Sequence, residues 1–169
     1  MHISQSLVPE WDMEMATTRR VIERVPELKY SWKPHEKSMT AGRLASHICE
    51  MGMWANMTMT TEVFDFNPGG KQAYPAFNAA TQAELLAEFD KHAAGGRAAL
   101  AAASNEEYMK TWTLQSNGNV IFTMPKIAVV RSFVFNHIVH HRGQLSVFLR
   151  LLDIPVPSIY GPSADEGSM

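Results

Sequence analysis

From Val130 to Leu152 the apolar residues recur at the 3.6-residue period of an α-helix, and two histidines stand inside the stripe: Val130, Val134, His137, His141, Leu145, Phe148 and Leu152. A stripe of that period has to be covered by other helices. Side chains four apart lie one above the other on a helix face, so His137 and His141 can close on a single metal ion. The pair does not complete a site. The best third ligand is His47, in Leu44-Ala45-Ser46-His47-Ile48-Cys49-Glu50, which falls on the apolar stripe of a second amphipathic helix. Three histidines with open positions are the arrangement of a catalytic metal, because a structural zinc is normally closed by four protein ligands.

The rest of the chain supplies the partners of that seam. Leu7, Trp11, Met15, Thr18, Ile22 and Val25 predict a first helix over about 6–25, ended by Pro26 and a connection to Lys37 that contains Trp32 and Pro34. Thr40 is an acceptable cap for the second helix, whose stripe of Leu44, His47, Met51, Trp54 and Thr58 predicts an end near Phe64. Asn67-Pro68-Gly69-Gly70 then breaks the pattern, and the loop to Asn78 carries Tyr74, Pro75 and Phe77, an aromatic content suited to packing over a neighbour. Thr81-Gln82-Ala83-Glu84 is a capping-box pattern that opens a third helix to about Ala103. Inside it, Gly95-Gly96 costs on the order of 2 kcal/mol against alanine, which implies a bend or a close approach by a neighbour. Asn117-Gly118 between Thr111-Trp112-Thr113-Leu114 and Val120-Ile121-Phe122-Thr123 predicts a β-hairpin. Pro125 suits the first turn of the last helix, which should run unbroken to about Leu152 and stop before Pro155 and Pro157. The expected fold is all-α: a four-helix bundle with a small β-hairpin insert before the last helix, as one domain over residues 1–169, with a turn-rich tail along the surface.

Composition removes several functions. A formal net charge of −2 over 169 residues, with no basic run, gives no electrostatic footprint for nucleic acid. The longest apolar runs are far short of the roughly 20 residues that a membrane span requires. The start, Met1-His2-Ile3-Ser4-Gln5, lacks the basic and apolar blocks of a signal peptide, so a cytoplasmic protein without membrane partners is expected. The single cysteine, Cys49, excludes an intrachain disulfide and reads as a packed small residue rather than a ligand or nucleophile. Of the eleven methionines, Met51, Met53, Met57 and Met59 cluster after His47, where they fill core or line an adaptable pocket.

His47, the run His137-x-x-x-His141-Arg142-Gly143-Gln144 and the closing Val156-Pro157-Ser158-Ile159-Tyr160-Gly161-Pro162-Ser163-Ala164-Asp165 together resemble the DinB superfamily of bacterial metal-binding helical bundles, over essentially the whole chain. The resemblance implies up-down-down-up connectivity, a homodimer, and one divalent ion held by His47, His137 and His141. It also implies a small-molecule chemistry that differs between members: some are S-transferases using low-molecular-weight thiols, one is a thiol-dependent isomerase, and many have no assigned activity. Substrate is not inherited with the fold.

Neutral imidazoles suit Zn or Ni first, with Fe, Mn or Cu as alternatives. The competing reading of His137 and His141 is two core histidines bonded to nearby carbonyls. His140 is the alternative ligand, three residues from His137, whereas His2, His35 and His92 read as surface residues. Glu50 shares the face of His47 and could orient a bound water, hold the imidazole, or pair with Arg43 or Arg142. Gln144 stands in the same relation to His141 and could bond a substrate oxygen, a water or the backbone. Arg142 reads as a structural ion-pair partner, and Gly143 as a point of close helix approach, including one across a dimer interface. An open metal lowers the pKa of water or of a thiol, so the expected activity is hydrolysis or thiol S-transfer on a small molecule. The alternative is a non-catalytic, stress-associated dimer in which a metal holds the bundle together.

Overall fold

The computed structural model describes residues 2–167. The chain is mostly helical with one small sheet, in the order α1 (Ile3–Ile22), α2 (Ala41–Thr60), β1 (Val63–Asp65), α3 (Gln82–Ala102), α4 (Asn105–Met109), β2 (Thr111–Ser116), β3 (Asn119–Pro125), α5 (Lys126–Val129) and α6 (Asn136–Leu151). A π-helical segment, Val130–Phe135, joins α5 to α6. Helix α2 packs along α3, α1 lies against α3 and α6, and α2 also touches α6. No described helix is long and apolar enough to cross a membrane.

Helix α1 starts at Ile3, earlier than its stripe suggests, because Gln5 accepts from the backbone N–H of His2 and Asn105 accepts from that of Ile3. It ends at Ile22, and Val25 is buried in the connection rather than in the helix, since a following proline disfavours helical backbone. Thr40 caps α2 by accepting from Arg43 N–H at 3.2 Å.

The far end of α2 departs from expectation. The helix stops at Thr60, four residues before Phe64, where Thr60 and Thr61 donate their hydroxyls to the Asn56 and Met57 carbonyls at 2.8 Å each. Val63, Phe64 and Asp65 then form a strand paired in parallel with Thr113, Leu114 and Gln115. The predicted hairpin therefore becomes a three-stranded sheet of order β1-β2-β3. Its turn is the expected one, with Asn117 and Gly118 at φ 51° and 75°. Asp65 reaches over and accepts from the N–H groups of Asn67, Asn117 and Gly118.

Helix α3 runs without a break through Gly95-Gly96. A Cβ on Gly96 would lie 2.6 Å from Cζ2 of Trp11, and one on Gly52 would lie 2.6 Å from the backbone carbon of His92, so both glycines set the contact of α3 with its neighbours. Trp11 seals that contact by donating to the Ala93 carbonyl at 3.0 Å. Substituting Gly52 with valine is expected to destabilise the protein by at least about 1–3 kcal/mol through overpacking, whereas Gly143→Ala should gain up to about 1 kcal/mol of helix propensity. At Gly143 an added Cβ meets nothing within 4 Å, so the close approach expected there does not occur within this chain. Urea unfolding of the two variants separates these outcomes, and equal effects would refute the packing argument.

The last helix also differs from an unbroken run. Its core seam carries Val130, Val134, Ile138, His141, Leu145 and Leu149, while His137, Phe148 and Leu152 are only half-buried. Lys126, at the head of α5, is buried, donates to the Met59 carbonyl at 3.0 Å and pairs with Glu107. The tail lies on the surface as expected, tied down by Arg20 and Arg24 to Glu166 and by Arg150 to Asp165.

Candidate metal centre

Helices α2 and α6 bring His47, His137 and His141 together. The ring centroids are 5.3 Å apart for His47 and His137, 4.8 Å for His47 and His141, and 4.5 Å for His137 and His141. One nitrogen of each ring lies within 4.8 Å of those of the other two. This is the trio that the sequence singled out.

Two of the rings are held by side-chain acceptors. His47 Nδ1 lies 2.7 Å from Glu50 Oε2 and His141 Nδ1 lies 2.8 Å from Gln144 Oε1, while the Phe133 carbonyl partly offsets the lowering of the His137 pKa by burial. Phe133 sits in the π-helical segment, a distortion that recurs at functional positions in other helices. Because Nδ1 of His47 and of His141 each donates to an oxygen, Nε2 is the nitrogen left with a lone pair on both rings. Glu50 and Gln144 thus orient imidazoles.

Glu50 does more. Its carboxylate also accepts from Phe77 N–H at 2.8 Å and from Arg43 at 3.1 Å, and Arg43 bonds the Phe77 carbonyl as well. With these bonds in place, the carboxylate has little basicity left for moving a proton. Burial pushes the Glu50 carboxyl up, but the bonds from His47, Phe77 and Arg43 outweigh it and leave the pKa below the usual value. The partner of Glu50 is therefore Arg43. Arg142 pairs instead with Glu14 at 2.6 Å, a buried structural ion pair as its sequence context suggested.

The two α6 histidines, His137 and His141, are set up as neutral bases. Burial lowers His141 from 6.5 to about 4, outweighing its bond to Gln144, and lowers His137 as well, with His47 adding to the effect. Neutral imidazole is the form a metal needs.

In the metal-free protein this shift has a direction. The unfolded chain binds the His141 proton near pH 6.5 and the folded one near 4, so stability falls as the pH drops through that window. The expected slope from this group is up to about 1.4 kcal/mol per pH unit, vanishing above about pH 7. His141→Gln should remove that slope in urea titrations across the window; an identical profile in the variant would refute it.

The other histidines fall outside the cluster. His140 is exposed, with its ring 4.9 Å from that of His141, and the metal-capable group among the described residues does not include it. His2 and His35 are exposed. His92 corrects the surface reading. The close α2–α3 contact at Gly52 half-buries it, with Nδ1 3.1 Å from the Cys49 carbonyl and Nε2 3.0 Å from Glu88. Cys49 is buried, its thiol bonded to the Ala45 carbonyl and its pKa pushed up by burial, so it is no nucleophile.

Beside the cluster lies a cavity of about 820 Å³ between α2, α3, the sheet and the 64–78 segment, with His47 and Glu50 on its wall. His141 and Gln144 face a separate cleft of about 350 Å³ next to Met39 and Val147. The large cavity was not legible in the sequence beyond the aromatic residues of its loop.

A small helical protein with three histidines converging from two facing helices is a candidate metalloprotein by its geometry alone. The chain belongs to the DinB family, whose family model matches residues 1–168. It is 26% identical over 157 residues to the uncharacterised protein YrdA of Bacillus subtilis, covering 92% of this chain and 87% of that one. Crystal structures of a DinB-like protein from Bacillus cereus (TM-score 0.68, 94% of this chain and 98% of that one) and of the DinB-like YjoA from Bacillus subtilis (TM-score 0.66, 89% and 96%) have the same fold. Each is 19% identical to this chain, so they speak to the fold alone.

Proposed function

We propose that this protein is a divalent-metal-dependent enzyme with His47, His137 and His141 as ligands, transferring a low-molecular-weight thiol to a small electrophile or hydrolysing it. Zn or Ni is the proposed ion, and the long helices are taken as an up-down-down-up four-helix bundle. The observation that carries this reading is the convergence of the three imidazoles, with His47 and His141 each held through Nδ1 by an acceptor of its own, Glu50 and Gln144. Core histidines that only needed satisfying would not have to converge. A divalent ion bound there supplies Lewis acidity that brings a thiol or water proton within reach of neutral pH.

The chain's own residues do the rest. Glu50 fixes His47 and, through Phe77, the loop that roofs the large cavity. Gln144 fixes His141, and burial keeps both α6 ligands unprotonated.

The test is turnover by zinc- or nickel-loaded protein of 1-chloro-2,4-dinitrobenzene with a panel of small thiols, and of 4-nitrophenyl acetate with water alone. Metal-dependent turnover of either supports the reading, and thiol dependence selects the transferase. Rates equal to the metal-free protein in both assays, with a melting temperature that falls on chelation, would instead establish a non-catalytic metal-stabilised bundle.

A second copy of the chain is the proposed partner. Val147 and Leu151 are exposed on α6, on the side where Gly143 leaves open space. Such a face favours a homodimer packed through α6.

A further inference from the structure

The walls of the 820 Å³ cavity are specific about what they can hold. Its size falls in the range of small-molecule sites, roughly 300–1,000 Å³. Trp54, Phe64, Phe66, Tyr74 and Phe77 line it, with Trp54 edge-on to Phe64 at 5.5 Å between centroids and Phe64 tilted against Tyr74 at 5.8 Å. These rings offer flat and edge surfaces to a planar ligand.

Charge is present but already spoken for. The formally charged lining residues are Arg43, Glu50, Glu88 and Lys91, and they pair with one another: Arg43 with Glu50 at 3.1 Å, Lys91 with Glu88 at 3.0 Å. An ionic ligand would meet no free countercharge and would give up its hydration. Neutral polar groups on the wall are free. The indole N–H of half-buried Trp54, the carboxamide of Gln72 and the Tyr74 hydroxyl have no hydrogen-bond partner among the described residues.

We infer that this cavity is the binding chamber for an uncharged, planar aromatic compound carrying a carbonyl-type acceptor, held by stacking on the aromatic walls and by a hydrogen bond from Trp54 Nε1. This deepens the reading of the histidine cluster as a reactive centre and rests on it for the meaning of the ligand as a substrate. His47 and Glu50 form one wall of the chamber, so a ligand seated there lies next to the proposed metal position. Recognition itself belongs to the protein walls and does not need the metal.

The experiment is therefore calorimetric titration of metal-free, full-length protein with 2-acetonaphthone, and with 2-naphthoate as its charged counterpart. The ketone is expected to bind, and the carboxylate more than about tenfold more weakly, as an ionised group buried without a countercharge should. Trp54→Phe keeps an aromatic wall but removes the donor, and should weaken the ketone by about three- to tenfold. Ala76→Trp, on the exposed loop at the cavity mouth, should abolish binding without touching the core. Failure of the ketone to bind, equal affinity for the carboxylate, or wild-type affinity in both variants would overturn the inference. A protein that binds the ketone but takes up no metal would retain the chamber and lose the proposed enzyme, so the two failures are distinguishable.

Discussion

Replacing His141 with alanine is expected to take bound zinc from about one ion per chain to none at micromolar protein, while Gln144→Ala should weaken binding only about ten- to a hundredfold. The difference follows from where each residue stands. His141 offers a ligand nitrogen within 4.8 Å of those on His47 and His137, and without it two histidines remain. Gln144 only fixes the ring, through one 2.8 Å bond to Nδ1. Glu50→Ala belongs with Gln144 in mechanism but should cost more, because the same carboxylate also anchors Arg43 and Phe77 N–H. Elemental analysis of untagged protein, followed by competition titration with a chromophoric chelator, reads both effects. Full zinc stoichiometry in His141→Ala would sink the three-histidine centre.

Arg142→Ala is expected to cost about 3–5 kcal/mol of folding stability, the range for breaking a buried ion pair from one side. Arg142 is 1% exposed and bridges two helices and the tail. Its guanidinium meets the Glu14 carboxylate at 2.6 Å, Thr18 Oγ1 at 3.1 Å and the Tyr160 hydroxyl at 2.6 Å, and that hydroxyl donates to Glu14 in turn. Removing the arginine strands a carboxylate that is itself 5% exposed. Glu14→Gln in the same chain removes the stranded charge, so the double variant should recover part of the loss. Urea unfolding midpoints measure this cycle, and strictly additive effects would refute the coupling.

Much of this was legible because it is local. The histidine trio needed only a four-residue spacing and a second stripe, and the β2–β3 hairpin needed only Asn117-Gly118. Strand β1 escaped because three residues carry no period, and what makes them a strand is pairing with Thr113–Gln115, about fifty positions away. The π-helical segment escaped for a related reason: the apolar stripe reads the same on either side of it, and the widening leaves no trace in the spacing. That ambiguity also put His137 in the core seam, where Ile138 stands. His92 was misjudged since an alanine-rich helix face says nothing of a glycine on another helix that lets it in.

Glu50 holds His47 with one oxygen and the backbone of Phe77 with the other, so a single carboxylate is shared between the histidine cluster and the roof of the chamber. Anything that shifts that carboxylate on occupying one place changes the free energy of occupying the other. Thermodynamic linkage makes the effect reciprocal: the factor by which an ion changes the affinity of the chamber is the factor by which a chamber ligand changes the affinity for the ion.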